Sequence, residues 1–230
     1  VQIDFTDNGS LAALKRKIGQ NDYHILHFTG HGDFDEAKGE GRLLLENDLS
    51  LNSESIGANA FAEAVLKPSH TIPLVVLCSC KTAQANLEKG MAGVTSALLQ
   101  KGIPSAVSMG LSILDNYATS FAANFYESIS KKETIQESFK KACNLVKVEE
   151  TENLLKANLG GVPMQWVIPN LYLSEKVKIV DWDKKFEKLT PEIAGGLFVN
   201  SKLEQPNVED FVGRREDLAV ILPAFFDNQP

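Results

Sequence analysis

The stretch IPLVVLCSC, residues 72–80, decides the fold class of this chain. Its uninterrupted apolar run is typical of a central strand buried on both faces, as in a parallel sheet covered by helices. Other apolar or alternating segments predict strands before and after it: VQIDF, YHILHF, RLLLEN, PSAVSMG and, as an irregular or edge strand, MQWVIPNLYL. The segments between them are helical in pattern. This alternation predicts an α/β fold with a mostly parallel central sheet and helices on both faces.

Five segments between the predicted strands have the apolar spacing of amphipathic helices: SLAALKRKIGQ, SESIGANAFAEAVLK, AGVTSALLQKG, NYATSFAANFYESIS and TIQESFKKACNLVKVEE. The second is predicted to begin after an N-cap at Asn52 or Ser53, and the third to stop at Gly102. In the fourth, Phe121 and Phe125 are spaced to share one face of the helix.

Composition limits the classes of function. The 230 residues, 43% of them apolar, suffice for one well-cored domain and a short piece of a second. A formal net charge of -7 argues against nucleic-acid binding, which needs clustered lysine and arginine. No apolar run approaches the ~18 residues of a membrane span, so no membrane association is expected. Three cysteines without a framework spacing indicate free thiols in a reducing compartment, so we expect a cytoplasmic protein.

The composition changes after the last predicted strand. Residues 1–173 form the predicted α/β domain, and residues 174–207 are charged and weakly periodic, which indicates a linker. Residues 208–230 then open a further module with FVGRREDLAVILPAF and stop. Because residue 1 is valine, we expect the sequence to be an excised fragment with neighbours missing at both ends.

Candidate catalytic side chains stand at the ends of two predicted strands. His31 lies between Gly30 and Gly32, where the strand is expected to turn sharply and leave the imidazole uncovered. Cys78 and Cys80 lie at the end of the central strand. Because adjacent strands lie about 4.8 Å apart, the imidazole and a thiol could face one cleft as a nucleophilic dyad. Cys80 is preferred, since Cys78 still belongs to the apolar run.

Structural roles are the alternative for each of these residues. A strand-end histidine can be structural, and a buried cysteine is often only a small hydrophobe, as we expect of Cys143 in its helix. Metal binding is disfavoured because the spacings His27-x3-His31 and Cys78-x-Cys80 match no ligand pattern. The chain has no GxxxxGK[ST] phosphate-binding loop and no GxSxG elbow of a small-molecule hydrolase.

Several motifs in order resemble one family. HILHFTGHGDF, RLLLEN, IPLVVLCSCKTAQ, GVTSALLQKGIPSAVSMGLSILDNYATSFAANFYESI and MQWVIPNLYL together resemble the CHAT domain family of caspase-like, separase-related cysteine proteases. The resemblance covers roughly residues 1–173 and implies a caspase-like three-layer sandwich. It also implies a cysteine endopeptidase with a protein substrate and no cofactor in the protease domain.

Matched residue by residue, the family's catalytic histidine falls on His31 and its nucleophile on Cys80, with an oxyanion hole from the amides of Gly32 and Cys80. Cys78 stands where the family more often has asparagine, and Ser79 replaces the alanine of its "AC" motif. Asp115 lies where separase-like relatives carry an acid that lines the pocket for a basic residue before the cut. Its alternative role is to cap a helix beginning at Asn116.

The last residues resemble a second family. FVGRREDLAVIL is similar to the entry segment of STAND-type (NACHT/NB-ARC-like) signalling ATPases. This resemblance implies that ATP binds to the missing C-terminal module and that oligomerisation through that module activates the protease. The expected role is the effector of a prokaryotic antiviral defence or signalling protein. The alternative is a catalytically silent caspase-like adaptor.

Overall fold

A computed structural model of the chain describes residues 3–50, 52–79, 87–111, 113–158, 160–174, 177–180 and 182, without the side chains of residues 79 and 87–89. All of them belong to the first of the two units into which the chain divides, Val1–Lys184. The second unit, Lys185–Pro230, lies outside the described residues. The predicted domain boundaries at residues 173 and 207 therefore stay predictions.

Helices and strands alternate along the described residues. The helices are α1 (Leu11–Gln20), α2 (Ala58–Ala64), α3 (Leu87–Gln100), α4 (Asp115–Ser130) and α5 (Ile135–Lys156). The strands are β1 (Ile25–Asp35), β2 (Glu40–Glu46), β3 (Ser53–Gly57), β4 (Leu74–Ser79), β5 (Ser105–Met109) and β6 (Pro169–Leu173). A single turn of 3-10 helix, Gln165–Val167, precedes β6.

The strands form one mixed sheet in the order β3-β2-β1-β4-β5-β6. Its centre is parallel, because β4 pairs in parallel with β1 on one side and with β5 on the other. The flanking strands β2, β3 and β6 are each antiparallel to their neighbours. From Leu74 to Leu77, β4 is almost completely buried, which confirms the central strand expected from its apolar run.

Helices cover both faces of the sheet and divide the core into two layers. On one face, α4 and α5 pack on even-numbered residues of β4, and on the other face α2 and α3 pack on the odd-numbered ones. The rings of Phe121 and Phe125 stack at 5.6 Å between centroids in the first layer, on the helix face predicted for them. The three-layer α/β sandwich is therefore confirmed.

Local interactions explain where several helices begin or end. The Ser10 hydroxyl accepts a hydrogen bond from the amide of Ala13 at the start of α1. Thr134 and Glu137 form a capping box at the start of α5. After α3, Gly102 adopts a φ of 96°, a left-handed conformation that ends the helix as predicted.

Two local predictions are wrong. Residues 53–57, predicted as the start of a helix, form β3 and pair antiparallel with β2. The helix begins only at Ala58, directly after Gly57, the last residue paired with β2. In the predicted first strand, residues 3–6 have no regular structure, and Phe5 is 80% exposed.

Helix α3 is seated directly on the backbone of β1 and β2. A Cβ atom at Gly90 would lie 2.4 Å from the carbonyl oxygen of Asp33, and one at Gly93 would lie 2.9 Å from the Cα of Gly41. Real Cβ atoms do not approach so closely, so both positions of the helix need glycine. The helix that follows residues 80–86 is thereby held against the strand that carries His31.

Candidate active site

Strand β1 pairs with two strands along its length. Residues 25–30 pair in parallel with β4, and from His31 to Asp35 the same strand pairs antiparallel with β2. His31 is exposed and directly follows Gly30, whose partner Ser79 is the last described residue of β4. The predicted sharp turn at Gly30-His31-Gly32 is therefore wrong, because the strand continues to Asp35.

The two glycines beside His31 serve close packing on the opposite face of the strand. A Cβ atom at Gly30 would lie 2.6 Å from the ring of Phe28, and one at Gly32 would lie 3.3 Å from the Sδ of Met91 on α3. Neither is among the positive-φ glycines of the described residues. Both positions are glycine because a side chain would be crowded there. Neither glycine adopts the left-handed conformation that only glycine adopts readily.

The neighbouring strand β4 ends beside His31. In the register of β1 and β4, Thr29 pairs with Cys78 and Gly30 pairs with Ser79. Cys78 is 5% exposed and belongs to the core layer under α4. Cys80 follows Ser79 in sequence and lies outside the described residues, so the predicted dyad and the Cys80 amide of the oxyanion hole remain predictions.

The third cysteine belongs to the core, as predicted. Cys143 on α5 is buried in the layer between the helices and the sheet. Burial raises the pKa of its thiol to about 11, so the thiol stays protonated at neutral pH. Cys143 is therefore not a candidate nucleophile.

The sheet face that carries His31 also carries a hydrogen-bonded cluster that sequence reasoning missed. His27, Thr29 and His31 alternate along β1 and are all exposed. The Nδ1 of His27 lies 2.6 Å from the hydroxyl of Tyr126 on α4, and its Nε2 lies 3.1 Å from the Oγ1 of Thr29. The spacing of these three polar residues in HFTGH was the available signal, although the partner on α4 could not be read from it.

Burial sets the protonation of this cluster. Although His27 keeps exposed surface, the protein around its ring lowers the pKa of the imidazole below its usual range. Burial raises the pKa of the Tyr126 phenol, and the nearby Cys78 thiol raises it further. At neutral pH the cluster therefore holds a neutral imidazole and a neutral phenol.

Asp115 is exposed in the first turn of α4. Leu114 occupies the N-cap position and no side chain caps it, so the interpretation of Asp115 as the cap is wrong. The amide of Leu114 instead donates a hydrogen bond to the Oε1 of Gln165, at 2.9 Å. The Asp115 carboxylate lies in the favourable field of the helix N-terminus.

The position of Asp115 along α4 follows from its spacing to Tyr126. Eleven residues separate them, so they lie about 20° apart around the helix and about 16 Å apart along it. Tyr126 contacts His27, and His31 lies about 13 Å further along β1. Asp115 therefore lies on the same side of α4 as Tyr126, toward the start of the helix.

The two acids after the GHG motif stabilise the pairing of β1 with β2. Arg42 on β2 contacts Asp33 at 2.9 Å and Asp35 at 3.3 Å. Both acids are part of strand β1. They hold the segment that follows His31 in place.

Two absences concern the described residues alone. No group of three or more histidine, cysteine or acidic side chains gathers there in a way that could hold a metal ion. None of the described helices has the length and apolar character needed to cross a bilayer.

Comparison with known proteins identifies the family. No curated protein matches the chain. The model of one family, described as the CHAT domain, matches residues 1–166, which is well over half of the 230 residues. Together with the α/β sandwich and the strand that carries His31, this match places the chain in the CHAT domain family of caspase-like cysteine proteases.

Proposed function

We propose that the chain is a cysteine endopeptidase in which Cys80 is the nucleophile and His31 its partner. The observation that carries this proposal is the register of β1 and β4, in which Gly30 lies opposite Ser79. The next residues in sequence are His31 and Cys80. His31 follows Gly30 and Cys80 follows Ser79 by one peptide unit, about 3.8 Å between Cα atoms. Because paired strands are about 4.8 Å apart, both residues belong to the same end of the two strands.

The alternation of side chains supports the same pairing. Cys78 lies in the core layer under α4, and its register partner Thr29 and then His31 follow on that face of β1. In an extended chain, residues two apart share a face. Continuation of β4 by one residue would therefore put the Cys80 thiol on the side of the sheet where the His31 imidazole lies.

The proposed reaction is acyl transfer through a thioester. His31 takes the thiol proton of Cys80, and the thiolate sulfur bonds to the scissile carbonyl carbon. The amides of Gly32 and Cys80 stabilise the resulting oxyanion. The carbon–nitrogen bond then breaks, and the leaving amine takes its proton from His31. Water hydrolyses the thioester and restores the thiol.

Asp115 is proposed to bind the side chain of the substrate residue that precedes the cleaved bond. It is exposed at the start of α4, on the same side of that helix as Tyr126, whose hydroxyl contacts His27. A carboxylate at that position favours a lysine or arginine of the substrate. Asp115→Asn should reduce cleavage after basic residues more than it reduces labelling of Cys80 by iodoacetamide.

The dyad is tested by single substitutions. Cys80→Ala and His31→Ala should each abolish cleavage of a protein co-expressed from the neighbouring genes, whereas Cys78→Ala, the matched control, should retain it. Because the dyad acts as a unit, the double variant should be hardly worse than either single one. Loss of cleavage in Cys78→Ala with retention in Cys80→Ala would reverse the assignment. A folded wild-type chain whose Cys80 reacts no faster than in His31→Ala would favour a silent adaptor.

The role of the C-terminal residues is a separate proposal. We propose that residues 208–230 begin a STAND-type ATPase module and that ATP-dependent oligomerisation activates the protease in a prokaryotic defence or signalling protein. The motif FVGRREDLAVIL supports it. Cleavage should be weak for the chain alone and should rise for the full-length protein with ATP and its trigger, or after fusion to an unrelated oligomer. Full activity of the dilute monomer would contradict assembly control.

A further inference from the structure

A second histidine on the catalytic face has no part in the proposed dyad. His27 lies four residues before His31 on the same face of β1, and both of its ring nitrogens have side-chain partners. Tyr126 comes from α4, 99 residues away in sequence, and Thr29 comes from β1 itself. The three side chains form a continuous chain, the Tyr126–His27–Thr29 chain, that leads from the helix toward His31.

The end of this chain is open to a ligand. Thr29 is exposed, lies beside Cys78 in the register and is two residues from His31. A neutral imidazole carries one N–H, so it donates one of the two hydrogen bonds and accepts the other. In either tautomer of His27, the Thr29 hydroxyl makes one hydrogen bond to the imidazole. It can still make another hydrogen bond to a bound ligand.

We propose that Thr29 is a substrate-binding residue next to the dyad and that His27 is a positioning residue, held by Tyr126, which fixes the Thr29 hydroxyl for that contact. The proposal rests on the proposed endopeptidase function. In this proposal the Thr29 hydroxyl makes a hydrogen bond to the part of a peptide substrate that lies over β1, on the N-terminal side of the cleaved bond.

The benefit of such a chain is preorganisation. A free threonine hydroxyl rotates and must be ordered when a substrate binds, which lowers affinity. Here the His27 ring holds the hydroxyl, and the aromatic contact with Tyr126, at 5.7 Å between ring centroids, holds the His27 ring. Placement of the substrate carbonyl over the nucleophile depends on contacts of this kind.

Two substitutions of His27 separate its two hydrogen bonds. In His27→Asn the side-chain amide lies near the position of Nδ1, so the bond to Tyr126 is kept and the bond to Thr29 is lost. In His27→Gln the amide extends to the position of Nε2, so the bond to Thr29 is kept. Thr29→Val removes the hydroxyl at nearly constant shape, and Thr29→Ser keeps it.

The probes are iodoacetamide and a set of acetyl-tripeptidyl chloromethyl ketones that end in arginine, lysine, asparagine, alanine or leucine. The rate of labelling at Cys80 is measured by mass spectrometry for the fastest ketone and for iodoacetamide. In Thr29→Val and His27→Asn, labelling by the ketone should slow by about tenfold, the effect of one lost hydrogen bond, while labelling by iodoacetamide stays within about twofold. Thr29→Ser and His27→Gln should stay within about threefold of wild type for both probes.

The results that overturn the proposal are distinct from those that overturn the dyad. If ketone labelling is slowed equally in His27→Asn and His27→Gln, or is not slowed in Thr29→Val, the Tyr126–His27–Thr29 chain has only a structural role. If none of the peptidyl ketones labels Cys80 faster than chloroacetone, which carries the same reactive chloromethyl ketone without a peptide, no substrate contact exists. If His31→Ala leaves both labelling rates unchanged, the dyad itself is wrong and this proposal is wrong with it. The double variant His27→Asn/Thr29→Val should be no slower than either single variant.

Discussion

Replacement of Gly90 by alanine tests how α3 is held against the catalytic strand. The new Cβ would lie 2.4 Å from the carbonyl oxygen of Asp33, 2.8 Å from its carbonyl carbon and 2.9 Å from its amide nitrogen. All three atoms belong to the backbone of β1 and cannot rotate away. The closest contact is roughly 1 Å shorter than an ordinary van der Waals contact, so α3 must move away from the sheet by about that distance.

The expected loss of stability follows from two opposing effects. Overpacking against a rigid backbone costs up to about 3 kcal/mol. Alanine gains about 1 kcal/mol over glycine within a helix. The net expectation for Gly90→Ala is a loss of about 2 kcal/mol in the free energy of unfolding, which lowers Tm by about 4–8 °C in a domain of this size.

A matched glycine provides the control. Gly19 lies in α1, and a Cβ there would meet nothing within 4 Å. Gly19→Ala should therefore stabilise the protein, by about 0.5–1 kcal/mol. Both variants are measured by urea unfolding followed by circular dichroism, with Tm from calorimetry. Shifts of the same sign in the two variants, or a Gly90→Ala protein as stable as wild type, would refute the packing argument.

Three further predictions concern the core, a helix cap and pH. Phe121→Ala should lower the free energy of unfolding by about 3–5 kcal/mol, and Leu155→Ala, at a position 74% exposed, by less than about 0.5; equal losses would contradict the assigned core. Thr134→Ala should lower the free energy of unfolding by about 1 kcal/mol and Thr134→Ser by much less. If Thr134→Ala is as stable as wild type, the capping box contributes nothing. Because burial lowers the pKa of His27, the unfolded chain binds this proton first as pH falls below about 6.5. Stability should therefore fall from that pH down to the lower pKa of the folded state, while the neighbouring Tyr126, whose pKa burial raises, stays neutral throughout. His27→Gln should flatten that part of a pH titration of Tm, and parallel curves for the two proteins would exclude the effect.

Sequence was sufficient wherever short-range interactions decide the structure. The apolar run of β4 had to be central because a strand with no polar face needs cover on both sides. The capping box of α5 and the stop at Gly102 depend on residues within a few positions of one another. Ordered motifs also sufficed for the family, since several of them had to occur in one order along the chain.

The tertiary structure decided the features that depend on a distant partner. Residues 53–57 form a strand because β2 lies beside them, and β1 continues past His31 because β2 pairs with it from His31 to Asp35. The glycine at position 32 is explained by Met91 of α3, a contact that requires the folded chain. His27 is the strongest example, because its partner Tyr126 is 99 residues away. Sequence by itself determined most of the elements, although not strand β3, and the family they belong to. Side-chain contacts between those elements needed the three-dimensional packing, because no local pattern encodes a neighbour that only folding brings near.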